Sequence, residues 1–206
     1  MTAHEPDTKE RILAAAEAEF MARGYDRSRM QAIADRAQIN KAMLHYHFRS
    51  KDELFAQIFR EKGKQLFPQV EASLREQPDF IRFVCRFIEL YVAYLIKNPF
   101  LPSYLLQIST NHSELMQEVK VDLPQRLMVA FDAAAKRGEI RAHDARQFIV
   151  SLLAMCVMPF AGKNLVKGFF ELSEPEYDSF LAERAEQLKA YVVLLLTPER
   201  HLTKER

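Results

Sequence analysis

The sequence predicts an all-α fold, and three observations carry that prediction. Of 206 residues, 49% are hydrophobic and 28% charged, enough to bury a substantial core, and only five are glycine. A β-sandwich or barrel needs more frequent turn glycines than that. The second observation is a recurring helix-start signal: Asp7 with Glu10, Ser50 with Glu53, Asn111 with Glu114 and Ser173 with Glu176. At this spacing the cap side chain and the acid three residues on satisfy orphan backbone N–H groups reciprocally. The third is apolar spacing at a period of about 3.6, as in Ile12, Ala16 and Phe20, or Leu54, Ile58 and Phe59. No stretch reads as a strand.

These signals order the helices along the chain. The first is predicted over 7–23, closed by Gly24 as a left-handed cap. Two short helices follow over 29–37 and 41–47, separated only by Gln38–Asn40. A fourth begins at Lys51 and ends near Phe67, where Pro68 lacks the N–H that a helix interior uses. The fifth spans 79–97, and a broken helix is expected over 101–109. The next covers 113–137, disturbed at Pro124 and closed by Gly138. Another runs from 144 to about 165, interrupted at Pro159, and the last covers 174–196.

Several function classes drop out. Two cysteines, Cys85 and Cys156, cannot build a disulfide framework and fit a reducing cytoplasm. No apolar run approaches the roughly 18 residues a membrane span requires, and the polar start Met1–Asp7 is unlike a signal peptide. The glycines form neither a phosphate-binding loop nor a dinucleotide fingerprint, so no cofactor is expected. His45 and His47 on one helix point about 200° apart and cannot share a metal ion. No Ser/His/Asp or paired-carboxylate constellation supports an enzyme.

The formal net charge of +1 is unevenly distributed. Between Arg23 and Lys51 stand Arg23, Arg27, Arg29, Arg36, Lys41, Arg49 and Lys51 against Asp26 and Asp35, a net +5 over 29 residues. Such a stripe is the footprint of a polyanion-binding surface, although a solvated face gives the same count. The two short helices decide. Ile33, Ala34, Ala37, Ile39, Leu44 and Phe48 are spaced to face inward, leaving Arg29, Gln31, Lys41, His45 and Tyr46 outside. That is helix-turn-helix anatomy, whose second helix enters the major groove. A structural αα-corner shares the apolar spacing but needs neither Lys41 at the start of the second helix nor the basic flank.

The run Ile33-Ala34-Asp35-Arg36-Ala37-Gln38-Ile39-Asn40-Lys41-Ala42-Met43-Leu44-His45-Tyr46-His47-Phe48-Arg49-Ser50-Lys51-Asp52-Glu53-Leu54-Phe55 resembles the signature of the TetR family of bacterial transcriptional regulators. The preceding Arg11-Ile12-Leu13-Ala14-Ala15-Ala16, Phe20 and Arg23-Gly24-Tyr25 resemble that family's first helix. The resemblance implies a DNA-binding domain over 8–67 and a larger effector-binding and dimerisation domain over 68–206. It also implies DNA-contacting roles for Ser28, Arg29, Gln31, Lys41, Ala42, Met43, His45, Tyr46, His47 and Lys51. Within that set Ser28 caps the second helix, Arg29 replaces a usual threonine, and His47 and Lys51 meet phosphate. Gln38 stands where the family has a turn glycine, which puts the left-handed geometry of that turn in question. Met43 replaces a small or hydroxyl residue and favours an apolar contact such as a thymine methyl.

Beyond this region the sequence speaks through hydrophobicity. The fifth helix confines its charges to Arg82, Arg86, Glu89 and Lys97, so it belongs at the centre of a core. In the resembling family such a helix lines an inducer pocket. Tyr91, Tyr94, Tyr104, Gln107 and His112 are the candidate polar groups of an otherwise apolar cavity, with packed core as the alternative for each aromatic. Phe148, Leu152, Met155, Leu188, Tyr191 and Leu195 are candidates for a four-helix dimer interface, with burial inside the same chain as the alternative. The sequence thus reads as a homodimeric cytoplasmic regulator, a repressor released from double-stranded operator DNA by a small hydrophobic or aromatic effector. Two rivals stand beside it. An all-α small-molecule carrier or enzyme without a DNA role would need a polar constellation the sequence lacks. A helical protein adaptor leaves the +5 window unexplained.

Overall fold

The computed structural model describes residues 7–77, 79–103, 106 and 123–198, and these contain helices but no strand. The helices are α1 (Thr8–Arg27), α2 (Met30–Arg36), α3 (Lys41–His47), α4 (Lys51–Glu76), α5 (Phe80–Lys97), α6 (Leu123–Lys136), α7 (Ala145–Ala161), α8 (Lys163–Phe170) and α9 (Glu174–Leu196). The predicted helix over 101–109 is helical at 101–103 and 106; its remainder, and 113–122, lie outside the described residues.

Local chemistry sets the boundaries in the N-terminal half. Asn40 Oδ1 accepts from the Met43 N–H at 2.7 Å and starts α3. Ser50 Oγ accepts from the Glu53 N–H at 3.1 Å and starts α4. At the other end of α2, the Ile39 N–H bonds the Ala34 carbonyl at 3.0 Å and the Gln38 N–H bonds the Asp35 carbonyl at 3.1 Å. This is a Schellman closure, and Gln38 adopts the φ of +56° it requires without being glycine. Gly24 has the expected positive φ of 73°, but its ψ of 166° kinks α1 and lets it continue to Arg27 rather than capping it. Phe20, Ile33, Ala34, Leu44, Phe48, Leu54 and Phe55 close a core between α1, α2, α3 and α4.

Pro68, predicted to end a helix, and Pro159, predicted to interrupt one, do neither. α4 passes Pro68 and runs to Glu76, because its apolar face continues: Leu54, Phe55 and Ile58 belong to the first core and Leu66 and Val70 to the second. α7 passes Pro159, which removes the donor for the Met155 carbonyl four residues earlier. Arg184 Nη2 supplies a replacement at 2.8 Å. The break comes instead at Gly162, where α7 and α8 meet at 76°.

The second core is built by α5 packing along α9 and α4 and closed by α6 and α7. Phe148, Leu152 and Leu188 lie inside it, so these three are core residues and not the predicted dimer contacts. α9 turns Leu181, Leu188, Val192 and Leu196 toward α5 and α7, which leaves Tyr191 and Leu194 outward at 53% and 63% exposure. Met155 is partly buried against the core. Besides α4, Tyr94 packs against both cores, and the chain just beyond α5 joins them as well. Phe100 and Leu101, just beyond α5, are buried in the first core. The Phe100 ring stands 5.9 Å from Phe55 and 6.5 Å from Phe20.

Candidate nucleic-acid interface

α3 is seven residues long and presents one buried side chain, Leu44, to the core, with Phe48 anchoring the residue after it. Every other direction faces outward by helical geometry. Lys41, Ala42, Met43, His45 and Tyr46 are exposed, Tyr46 at 83%. His47 is half-buried, its ring edge-on to Tyr46 at 5.4 Å. Arg29 and Gln31 are exposed at the start of α2, where Gln31 Nε2 donates to Asp35 Oδ1 at 2.8 Å. The scaffold beneath is tied by Arg11, whose Nη2 donates to the Ala37 carbonyl at 2.6 Å and so fixes α1 to the interhelical turn.

The basic window is thinner than its residue count. Arg23 and Arg36 form ion pairs with buried Glu19 at 3.2 and 3.4 Å. Arg27, Arg29, Lys41 and Arg49 are exposed, as are the side chains of Arg23 and Arg36 beyond their pairing with Glu19. Ser28 does not cap α2: its hydroxyl is buried and turned back onto α1, donating to the Gly24 carbonyl at 2.6 Å. Arg29 takes the cap position with an extended backbone and no side-chain cap bond.

Lys51 also departs from its predicted place. Its ammonium turns inward and donates to the carbonyls of Tyr25 at 2.7 Å and Ser28 at 3.2 Å, and lies 4.1 Å from the centre of the Tyr25 ring. Burial lowers its pKa, against the opposing pull of Asp26 and Asp52. The Tyr25 hydroxyl donates to the Asp52 carboxylate. Arg11, Glu19, Tyr25 and Asp52 therefore shape the site, and sequence reading missed those roles because Arg11, Tyr25 and Asp52 act on partners distant in sequence and Glu19 joins its neighbour Arg23 to the distant Arg36.

In the second domain, Tyr91 stacks on Phe87 at 5.3 Å and on Tyr94 at 6.5 Å. Burial pushes the Tyr91 hydroxyl up to about 12 and raises Tyr94 as well. Beside Tyr94, an open groove of about 450 Å³ between α4 and α5 is lined by Leu66, Arg86, Glu89 and Leu90. Tyr104, Gln107 and His112 lie outside the described residues. Among the described residues no group of three His, Cys, Asp or Glu is placed to hold a metal ion. No single described helix is long and apolar enough to cross a membrane.

A short, capped outer helix on a three-helix scaffold, joined to a helical second domain, defines the helix-turn-helix class of transcriptional regulators. Residues 12–58 match the model of the bacterial regulatory proteins of the tetR family. Its N-terminal domain is thus of the TetR type over these residues, and the relatives it resembles are transcriptional regulators. It is 28% identical over 149 residues to the HTH-type transcriptional activator FasR of Mycolicibacterium smegmatis, covering 71% of this chain and 67% of that protein. It is 36% identical over 69 residues to the HTH-type transcriptional repressor BepR of Brucella suis biovar 1, covering 34% of this chain and 32% of that one. The fold is shared with the hemolysin II transcriptional regulator HlyIIR, with a TM-score of 0.64 at 20% identity over 93% of this chain and 98% of that one.

Proposed function

We propose that two copies of this chain bind a double-stranded DNA operator through paired α3 helices, and that a small hydrophobic or aromatic effector in the C-terminal domain releases them, so that the protein represses. The observation that carries this reading is the outward face of α3, where Lys41, Ala42, Met43, His45 and Tyr46 stand on a helix capped by Asn40 and anchored by Leu44. Arg29, Gln31 and His47 flank it, and Arg27 and Arg49 add cations for phosphate. The proposed division lies near residues 67 and 68, inside α4, so one helix serves both domains. A face of Val150, Met158, Tyr191, Leu194 and Leu195 on α7 and α9, with Met155 at its edge, supports a four-helix dimer contact. Such a dimer sets its recognition helices roughly 34–36 Å apart, to reach successive grooves. Tyr91 and Tyr94 support an effector site against α5. Two repressors among the relatives, BepR and SCO4008 of Streptomyces coelicolor, favour repression over activation. Such a regulator works in the bacterial cytoplasm, where its DNA is.

Selection of genomic fragments by the purified protein, followed by gel shifts at moderate salt, tests the reading. One or a few sequences should be retained preferentially, and hydrophobic ligands that raise the melting temperature by mass action should release them. Failure to retain any duplex would contradict it.

A further inference from the structure

The turn between α1 and α2 carries two exposed guanidinium side chains, Arg27 and Arg29, and runs over the first residue of α4. We propose that Lys51 is a positioning residue for DNA binding, which seats this turn from beneath, and is not itself a phosphate ligand; the proposal rests on the DNA-binding reading above. An ammonium has three N–H donors and no acceptor. In Lys51 they point to carbonyls at the C-terminal end of α1: Tyr25 at 2.7 Å, Ser28 at 3.2 Å and Asp26 at 3.5 Å. The partial negative charges of these converging carbonyl oxygens favour a cation there. The Tyr25 ring closes the seat at 4.1 Å, and its hydroxyl reaches Asp52, so the first turn of α4 grips Tyr25 on two sides. Turning the ammonium out to a phosphate would break these bonds and release the turn.

The kink at Gly24 is what makes a seat necessary. With φ 73° and ψ 166° there, the last residues of α1 leave the helical path. The turn is also held by a bond of 3.2 Å from the Ser28 N–H to the Tyr25 carbonyl and by the Ser28 hydroxyl on Gly24. Lys51 ties its backbone to α4, beside the contacts of the Tyr25 side chain with Asp52 and Phe55, and α4 also carries the core residues Leu54 and Phe55 against which α1 rests. The seat therefore fixes where Arg27 and Arg29 stand relative to α3.

The test uses full-length protein and random-sequence duplex DNA over a sodium chloride series, at a temperature where circular dichroism shows every variant folded. Lys51→Met should weaken binding about tenfold. Lys51→Arg should lose as much, because a guanidinium keeps the charge and binds phosphate well but does not fit an ammonium seat of converging carbonyls. Tyr25→Leu should cause a similar loss, and Lys51→Met combined with Tyr25→Leu should be no worse than either alone. In DNA-free protein, Lys51 should acetylate more slowly than exposed Lys41. The proposal is overturned if Lys51→Arg binds like wild type while Lys51→Met lowers the salt slope by about one unit, additively with Tyr25→Leu. It is equally overturned if Lys51 acetylates as fast as Lys41 without DNA. A wild type that binds no duplex sinks the DNA-binding reading instead, while the acetylation comparison still judges the seat.

Discussion

Gln38 holds a left-handed backbone, φ +56°, at the turn between α2 and the recognition helix. An L residue there costs roughly 1–2 kcal/mol, whereas glycine adopts the conformation freely but loses more entropy on folding. Gln38→Gly should therefore stabilise the protein by up to about 1 kcal/mol, a rise of roughly 2–4 °C in melting temperature. Calorimetry checks this; a fall of the same size would mean the Gln38 side chain makes contacts that outweigh its backbone strain. The same residue shows what was legible at this scale. The caps at Ser50 and Ser173 follow from spacing of three residues and form as read, whereas the cap at Asn40 was not read. Lys51 and Ser28 could not be placed that way. The partners of Lys51 lie 23 to 26 residues back, so no local pattern encodes whether its charge faces DNA or the protein's own carbonyls.

Helices were legible where their caps and apolar faces agreed, and misjudged where proline was taken to outrank burial. α7 continues through Pro159 because Arg184 from α9 bonds the carbonyl that the ring orphans. α4 continues through Pro68 because it has two cores to bury against. The face proposed for dimerisation was only half legible: apolar periodicity identifies α7 and α9 as rich in hydrophobic surface, but not which stripe each turns inward. Leu188 faces in, fully buried, while Tyr191 and Leu194 face out. Tyr191→Glu with Leu194→Glu should thus convert a dimer to a folded monomer, seen as a halved mass by light scattering with unchanged circular dichroism. Leu188→Glu should unfold the chain, because burying an unpaired carboxylate costs several kcal/mol. A wild type that is monomeric at micromolar concentration would remove the basis of this prediction.

Across the whole molecule, the two domains are not independent bodies on a linker. α4 belongs to both cores, and Phe100 and Leu101 return from the far end of α5 to complete the first one. Phe100→Ala should cost about 3–5 kcal/mol and destabilise the helix-turn-helix domain although the residue lies outside it. Hydrogen exchange should show the loss in α1 and α4, and protection changed only in the second domain would contradict the packing. Under the proposed function, this continuity is the route by which an effector near α5 would bias the spacing of two recognition helices, the differential contact that allosteric release requires. The account stands or falls on α3 reading base edges. Its most direct test is the affinity of wild type, Lys41→Ala and Tyr46→Ala for the selected operator and for random duplex DNA over a salt series. The account predicts that each variant loses roughly 1–3 kcal/mol on the operator with relaxed preference at particular base pairs, while Tyr46→Ala leaves binding to random DNA unchanged. Both variants keeping the wild-type ratio of operator to random affinity would contradict it.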